Sequence, residues 1–329
     1  MVYHYSSWLY GSYDSSTFLG RIGIYGVSIF YILSGLTLYH VYEKKLCLRK
    51  IGNYFLRRVL RIHPLLIFAT LATIIFVRNW EPYAAIGRPF WSLVLNLTGL
   101  FGVVDPARYI AVGAWSIGNE LAFYLLFPIL IFFNRFNKWL LYVVFVASVF
   151  IGGYYAYLAI DPIEGLSSNW KLYIHPLNQL FLFIGGMVIA KLYASVQFKK
   201  RIVLALLVAT VILFVTYPVS GDRVNLVSGT NRIVFSFFSI LMVCCVYKMD
   251  CLCMKPIQFL LDKFGEMSYT IYLIHPIVFY SLNKKGVEIN LSNELNFLIC
   301  TLLTFVFSLI VYQLIEKPFI RAYRQKQSG

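Results

Sequence analysis

Apolar residues run in long blocks along the whole chain, separated by short polar stretches. A helix crossing the hydrocarbon layer of a membrane needs about 20 such residues. Blocks of that kind fall near 21–42, 62–78, 110–133, 139–159, 173–192, 202–218, 231–247, 268–283 and 295–315. Residues 1–10 make up about half of one more span, so the pattern predicts about ten spans, the first of them incomplete. The stretch 91–104, WSLVLNLTGLFGVV, is shorter and contains two glycines. It reads as a re-entrant or interfacial segment, because a span there would invert every later loop. The expected fold class is all-α, a polytopic bundle of transmembrane helices, with residues 1–329 forming a single integral-membrane domain. The sequence carries no convincing internal repeat and no low-complexity linker.

Composition supports this reading. The chain is 60% hydrophobic and 13% charged, against about 25% charged in a soluble domain. Aromatic residues make up 18%, which suits interfacial belts on a helical bundle. The net charge of +15 does not imply nucleic acid, because no soluble domain combining basic and aromatic residues is present to bind it. The positive charge is instead gathered between spans. Segments 43–63, 134–138, 191–201, 248–267 and 316–329 hold 20 of the 29 Lys and Arg. The positive-inside rule places those segments, and the C-terminus, in the cytoplasm. The six cysteines match no zinc spacing, so no metal is expected. A GxSxG elbow, an HExxH pair and a phosphate-binding glycine loop are all missing from the sequence.

Polar residues inside spans are costly and point to function. Glu120 is the one acidic residue placed deep in the bilayer, about ten residues into its span; the structural alternative is a Glu that ties helices together. His4, in the half-span, has the chemistry of a general base that activates a hydroxyl, or of an interfacial His bonded to backbone. Ser34-Gly35 lies mid-helix, where Gly permits close approach and Ser34 either orients a substrate or acts as nucleophile. Arg58 and Arg61, three apart, share a helix face and could clamp phosphates or serve as a lipid-facing anchor. His63 stands at a membrane entry. His275 lies about one third of the way into its span, before a kinking Pro276; it is either a second site residue or a core His. His40 and His175, at helix ends, read as structural.

Taken in order, these motifs form a set: His4-Tyr5-Ser6; Gly26-Val27 through Phe30-Tyr31-Ile32-Leu33-Ser34-Gly35; Phe55 to Pro64 with its Arg57-Arg58-Val59-Leu60-Arg61 core; Trp115-Ser116 through Glu120 to Leu125; Ser268-Tyr269 through His275-Pro276; and Glu316-Lys317-Pro318-Phe319. The set resembles the acyltransferase 3 family of multi-span membrane acyltransferases over essentially the whole chain. The resemblance implies transfer of an acetyl group from cytoplasmic acetyl-CoA to a hydroxyl of a cell-surface or exported glycan, of the lipopolysaccharide O-antigen, exopolysaccharide or capsule type. It implies a multi-pass protein of the bacterial inner membrane whose partners are the glycan or a lipid-linked sugar, acetyl-CoA and membrane lipids.

By the same resemblance His4 is the essential first-helix His, and Glu120 and Ser34 complete the catalytic group. Arg57, Arg58, Arg61, Gly35 and Phe30 bind the acyl donor; His63, Trp115, Tyr269 and His275 support the site. Three departures stand out: Tyr31 takes the place of a second Phe, Gly118-Asn119 precedes Glu120, and His63 stands where a Tyr is usual. Members also carry a basic residue about ten positions before the first-helix His. The sequence begins three residues before His4, so either the helix starts upstream of Met1 or that residue is lost. The rival reading is a transporter or flippase for a lipid-linked glycan, and a different acyl group such as succinyl is the alternative donor chemistry.

Overall fold

A computed structural model describes residues 1–77, 89–193, 196, 198–249, 255–283 and 292–321. Among these residues every regular element is helical and none is a strand. The helices needed below are α1 (Val2–Tyr10), α2 (Phe18–Tyr42), α3 (Ile51–Ala72), α4 (Pro89–Thr98), α5 (Phe101–Val104), α6 (Trp115–Phe136), α7 (Leu140–Tyr154), α8 (Pro176–Tyr193), α9 (Lys200–Thr216), α10 (Gly229–Lys248), α11 (Lys255–Leu282) and α12 (Asn293–Val311). Among the described residues, seven helical stretches are long and apolar enough to cross a membrane: Phe18–Tyr42, Leu48–Val77, Trp115–Phe136, Leu140–Ala159, Trp170–Tyr193, Gly229–Lys248 and Asn293–Arg321. The other three expected spans are also helical. However, α1 has nine residues, α9 has 17, and α11 has 28 that include a charged first half and several Tyr, His and Ser. The stretch read as re-entrant is a broken helix. Its two pieces, α4 and α5, are separated by Gly99 in the left-handed region at φ 72°, a conformation Gly adopts at little cost.

The chain forms two compact units. The first comprises residues 1–11, 49–121 and 252–329, and the second residues 12–48 and 122–251. In the first unit α11 packs on α12 and on α3, while α3 also carries α4 and α1 lies on α12. Tyr5, Phe279 and Cys300 form a buried cluster there, with Trp8, Leu9 and Phe297 against it. Polar anchors place α1: Tyr5 donates to the His275 carbonyl at 2.9 Å and lies 2.6 Å from Thr304 Oγ1.

In the second unit α2 is the central element. Thr17 caps its start, accepting from the Gly20 N–H at 3.0 Å, which satisfies one of the donors every helix leaves open at that end. The helix then crosses α8 at backbone contact. A Cβ on Gly35 would overlap the Phe183 carbonyl, and one on Gly186 would overlap the Ile32 carbonyl. The two glycines thus face each other's helices, a small-residue crossing of the kind that holds membrane helices together. Helix α7 packs on α8, and α10 packs on α9 and α2.

Candidate active site

The first unit brings together residues that are far apart in sequence. His4 on α1 and His275 on α11 face each other with ring centroids 5.2 Å apart. Trp8 stacks on His275 at 6.0 Å and 16° and lies 5.1 Å from His4, so one indole covers both imidazoles. His275 is 1% exposed. Its Nδ1 lies 3.1 Å from the Ile271 carbonyl. A carbonyl only accepts, so Nδ1 carries the proton of the neutral ring and Nε2 holds the lone pair. That Nε2 is buried and has no hydrogen-bond partner among the described residues. This tautomer makes His275 a proton acceptor.

One turn earlier on α11, Tyr272 ties this pair to the start of α6. Its hydroxyl donates to the Gly113 carbonyl at 2.8 Å and lies 2.8 Å from Ser116 Oγ, which itself reaches Gly113 at 3.1 Å. Gly113 sits at φ 84°, and a Cβ there would meet the Tyr272 hydroxyl at 3.0 Å, so glycine is required on both counts. Ser116 and Glu120 are four apart on α6 and therefore share a helix face. Trp115, beside Ser116, is buried. The sequence reading gave roles to His4, Glu120 and His275, but none to Tyr272 or Ser116. The available signal was the three-residue spacing of Tyr272 and His275, which puts both on one face of α11.

Two other expected residues serve the framework around this centre. His63 Nε2 lies 2.9 Å from the Thr98 carbonyl, at the break between α4 and α5. Tyr269 donates to the Ile62 carbonyl at 3.0 Å, beside Pro64 within α3.

A cavity of about 520 Å³ in the same unit is lined by Arg57, Arg61, Lys263, Lys317 and Arg321 together with Glu266, Tyr312 and Glu316. It collects cations from α3, α11 and the chain after α12. The arginine pair that reaches it is Arg57 and Arg61, four apart. Arg58 turns the other way and is only 8% exposed, so the expected Arg58–Arg61 face is divided. Both carboxylates in the lining are engaged. Glu266 accepts from Lys263 at 2.8 Å, and that bond holds its carboxyl below the usual range while raising the lysine. Glu316, 3% exposed, accepts from Thr270 Oγ1 at 2.6 Å, at the end of the wider π-turn Tyr312–Glu316. The excess positive charge, a volume typical of ligand sites and the Arg forks suit a molecule carrying several phosphates.

Phe30, Ser34 and Gly35 belong to the second unit. Ser34 Oγ reaches the Tyr124 hydroxyl at 3.4 Å, Phe30 is 55% exposed, and Gly35 is occupied by the crossing with α8. His175 and His40 have structural partners there. The former binds the Tyr155 hydroxyl at 3.0 Å and accepts from the Leu177 N–H at 3.3 Å, and the latter lies 3.5 Å from the Tyr247 hydroxyl.

The acyltransferase domain family model matches residues 1–313. The chain belongs to the acyltransferase 3 family. Relatives within it include the O-acetyltransferase OatA of Staphylococcus aureus strain NCTC 8325 / PS 47 and of strain COL, each 23% identical over 355 aligned positions. Each alignment covers 97% of this chain and 54% of the relative; the chain thus spans about half the length of the curated relatives it matches. No solved structure matches the chain. As a family member this is an integral-membrane acyltransferase domain.

Proposed function

We propose that the chain transfers an acetyl group from cytoplasmic acetyl-CoA to a hydroxyl of an exported or cell-surface glycan, with both units serving one catalytic domain in the bacterial inner membrane. One observation carries this reading: a single compact unit contains both the cation-lined cavity and the His4–His275 pair. The O-acetyltransferase relatives support the choice of acetyl and of oxygen as acceptor.

In this reading the C-terminus and the cavity face the cytoplasm. Arg57, Arg61, Lys263, Lys317 and Arg321 hold the donor's phosphates. His4 removes the proton of the acceptor hydroxyl as its oxygen bonds to the acyl carbon, and the thiolate leaves. His275, locked as an acceptor by Ile271, shares that proton, and Trp8 keeps the two rings facing and dry. Glu120 stabilises the charged imidazolium.

The test is transfer itself. Membranes containing the full chain should move label from radiolabelled acetyl-CoA into extractable glycan, as an ester released by alkali. Label that stays in acetyl-CoA, or that enters only protein, contradicts the proposal.

A further inference from the structure

Among the described residues of the second unit, a buried cation has no carboxylate partner. Arg232, near the start of α10, is 0% exposed. One terminal nitrogen donates to Gln179 Oε1 at 2.8 Å and reaches the Asn178 carbonyl at 3.5 Å. Its Nε and its other terminal nitrogen have no acceptor among the described residues. Phe181, Tyr25 and Tyr173 surround the guanidinium with ring centroids 5.5, 5.7 and 6.0 Å away. Asp222, the carboxylate of the nearby loop, is committed to the backbone N–H groups of Leu166 and Val224, both at 2.8 Å.

Arg21 gives the contrast within the same unit. It is 2% exposed, yet its Nε donates to the Ser15 carbonyl at 2.9 Å and its terminal nitrogens donate to the carbonyls of Phe214, Val215 and Tyr217. All three of its nitrogens are served by backbone, as expected of an arginine that only supports the fold. Arg232 has one nitrogen engaged out of three. An arginine cannot shed its charge by losing a proton, and a buried cation with unmade hydrogen bonds is strongly unfavourable. Aromatic faces attract it, and the Tyr25 hydroxyl also contacts its side chain.

The neighbouring groups indicate what would complete it. Asn178 Oδ1 is also buried without a partner, so the site offers unmet donors on Arg232 and an unmet acceptor on Asn178. A ligand with an oxyanion and an adjacent hydroxyl matches both. Asn231, the residue before Arg232, lines an open groove of about 500 Å³ with Pro218, Val219, Ser220 and Asn225, on the face that the charge distribution assigns to the outside.

We propose that Arg232, Gln179 and Asn178 form a binding site for a carboxylate or phosphate oxygen of a hydroxyl-bearing ligand that enters beside Asn231. This inference does not rest on the proposed transfer reaction. The shared chemistry fits an acidic sugar or a lipid headgroup, and the experiment separates the two.

The full chain is placed in phosphatidylcholine nanodiscs, and its melting temperature is followed against glucuronate, glucose 6-phosphate and glucose. A parallel sample uses nanodiscs containing phosphatidylglycerol. A saturable rise with either acidic sugar, absent with glucose, supports a sugar ligand. A rise confined to phosphatidylglycerol supports the headgroup. In either case Gln179→Glu, which sets a carboxylate against Arg232, should fold and weaken the response on the order of tenfold or more. Arg232→Met removes the charge while filling its space and should abolish the response. No rise with any anion overturns the site, as does an undiminished response in either variant.

Discussion

The role proposed for His275 rests on one hydrogen bond made and one unmade. The Ile271 carbonyl accepts from Nδ1, and no described residue donates to the Nε2 lone pair. His275→Asn removes that lone pair while an amide can still serve Ile271. It should lower kcat for acetyl transfer with little change in KM for the donor, measured on membranes at saturating and limiting acetyl-CoA. Tyr272→Phe removes the hydroxyl shared between Gly113 and Ser116. Ser116 Oγ still reaches the Gly113 carbonyl, so the loss is that of a hydrogen bond, about 0.5–1.5 kcal/mol; the variant should melt slightly lower in a thermal unfolding assay and transfer more slowly. The sequence singled out His4 and His275 separately, with 270 residues between them. Their pairing was not legible, because it depends on how Tyr5 pins α1 to the His275 carbonyl and to Thr304.

Helix α3 shows how far spacing alone can lead. A run of Arg57, Arg58 and Arg61 signals a basic face, and three-residue spacing puts Arg58 beside Arg61. Spacing does not say which face meets the protein, and packing turns Arg58 inward and leaves Arg57 and Arg61 on the cavity. The double variant Arg57→Ala/Arg61→Ala should therefore raise KM for acetyl-CoA on the order of 100-fold at unchanged kcat. That figure takes about 1.5 kcal/mol for each charge-assisted bond, and the effect should shrink with added salt. Arg58→Ala should lower the melting temperature and leave KM in place. The motif glycine on α2 has a comparable lesson. Gly35 reads from sequence as a donor contact or as helix packing, and its geometry is packing: the Phe183 and Ile32 carbonyls leave no room for a methyl at Gly35 or Gly186. Gly35→Ala or Gly186→Ala should cost about 1–3 kcal/mol or more, read as a loss of thermal stability in detergent. Gly26→Ala on the same helix, where a Cβ meets open space, should be neutral or mildly stabilising.

Across the molecule, the helical membrane architecture was written in the apolar blocks, and seven of them return as helices long and apolar enough to span. The blocks near 202–218 and 268–283 return as helices as well; α9, with 17 residues, falls short of the roughly 20 of a full span, and α11 is diluted by its Tyr, His and Ser. Hydropathy could not show the grouping of the helices, because it ranks segments one at a time and contains nothing about which pack together. That grouping puts the cation-lined cavity and the histidine pair into one unit drawn from three separate stretches of chain. The proposed reaction requires His4 as the base for transfer. The most direct test is the initial rate of label transfer from radiolabelled acetyl-CoA to glycan by membranes carrying equal amounts of the intact chain and of His4→Ala. A fall of about 10²–10⁴-fold, with acetyl-CoA binding retained, is the expected result. A rate in His4→Ala equal to that of the intact chain would contradict it.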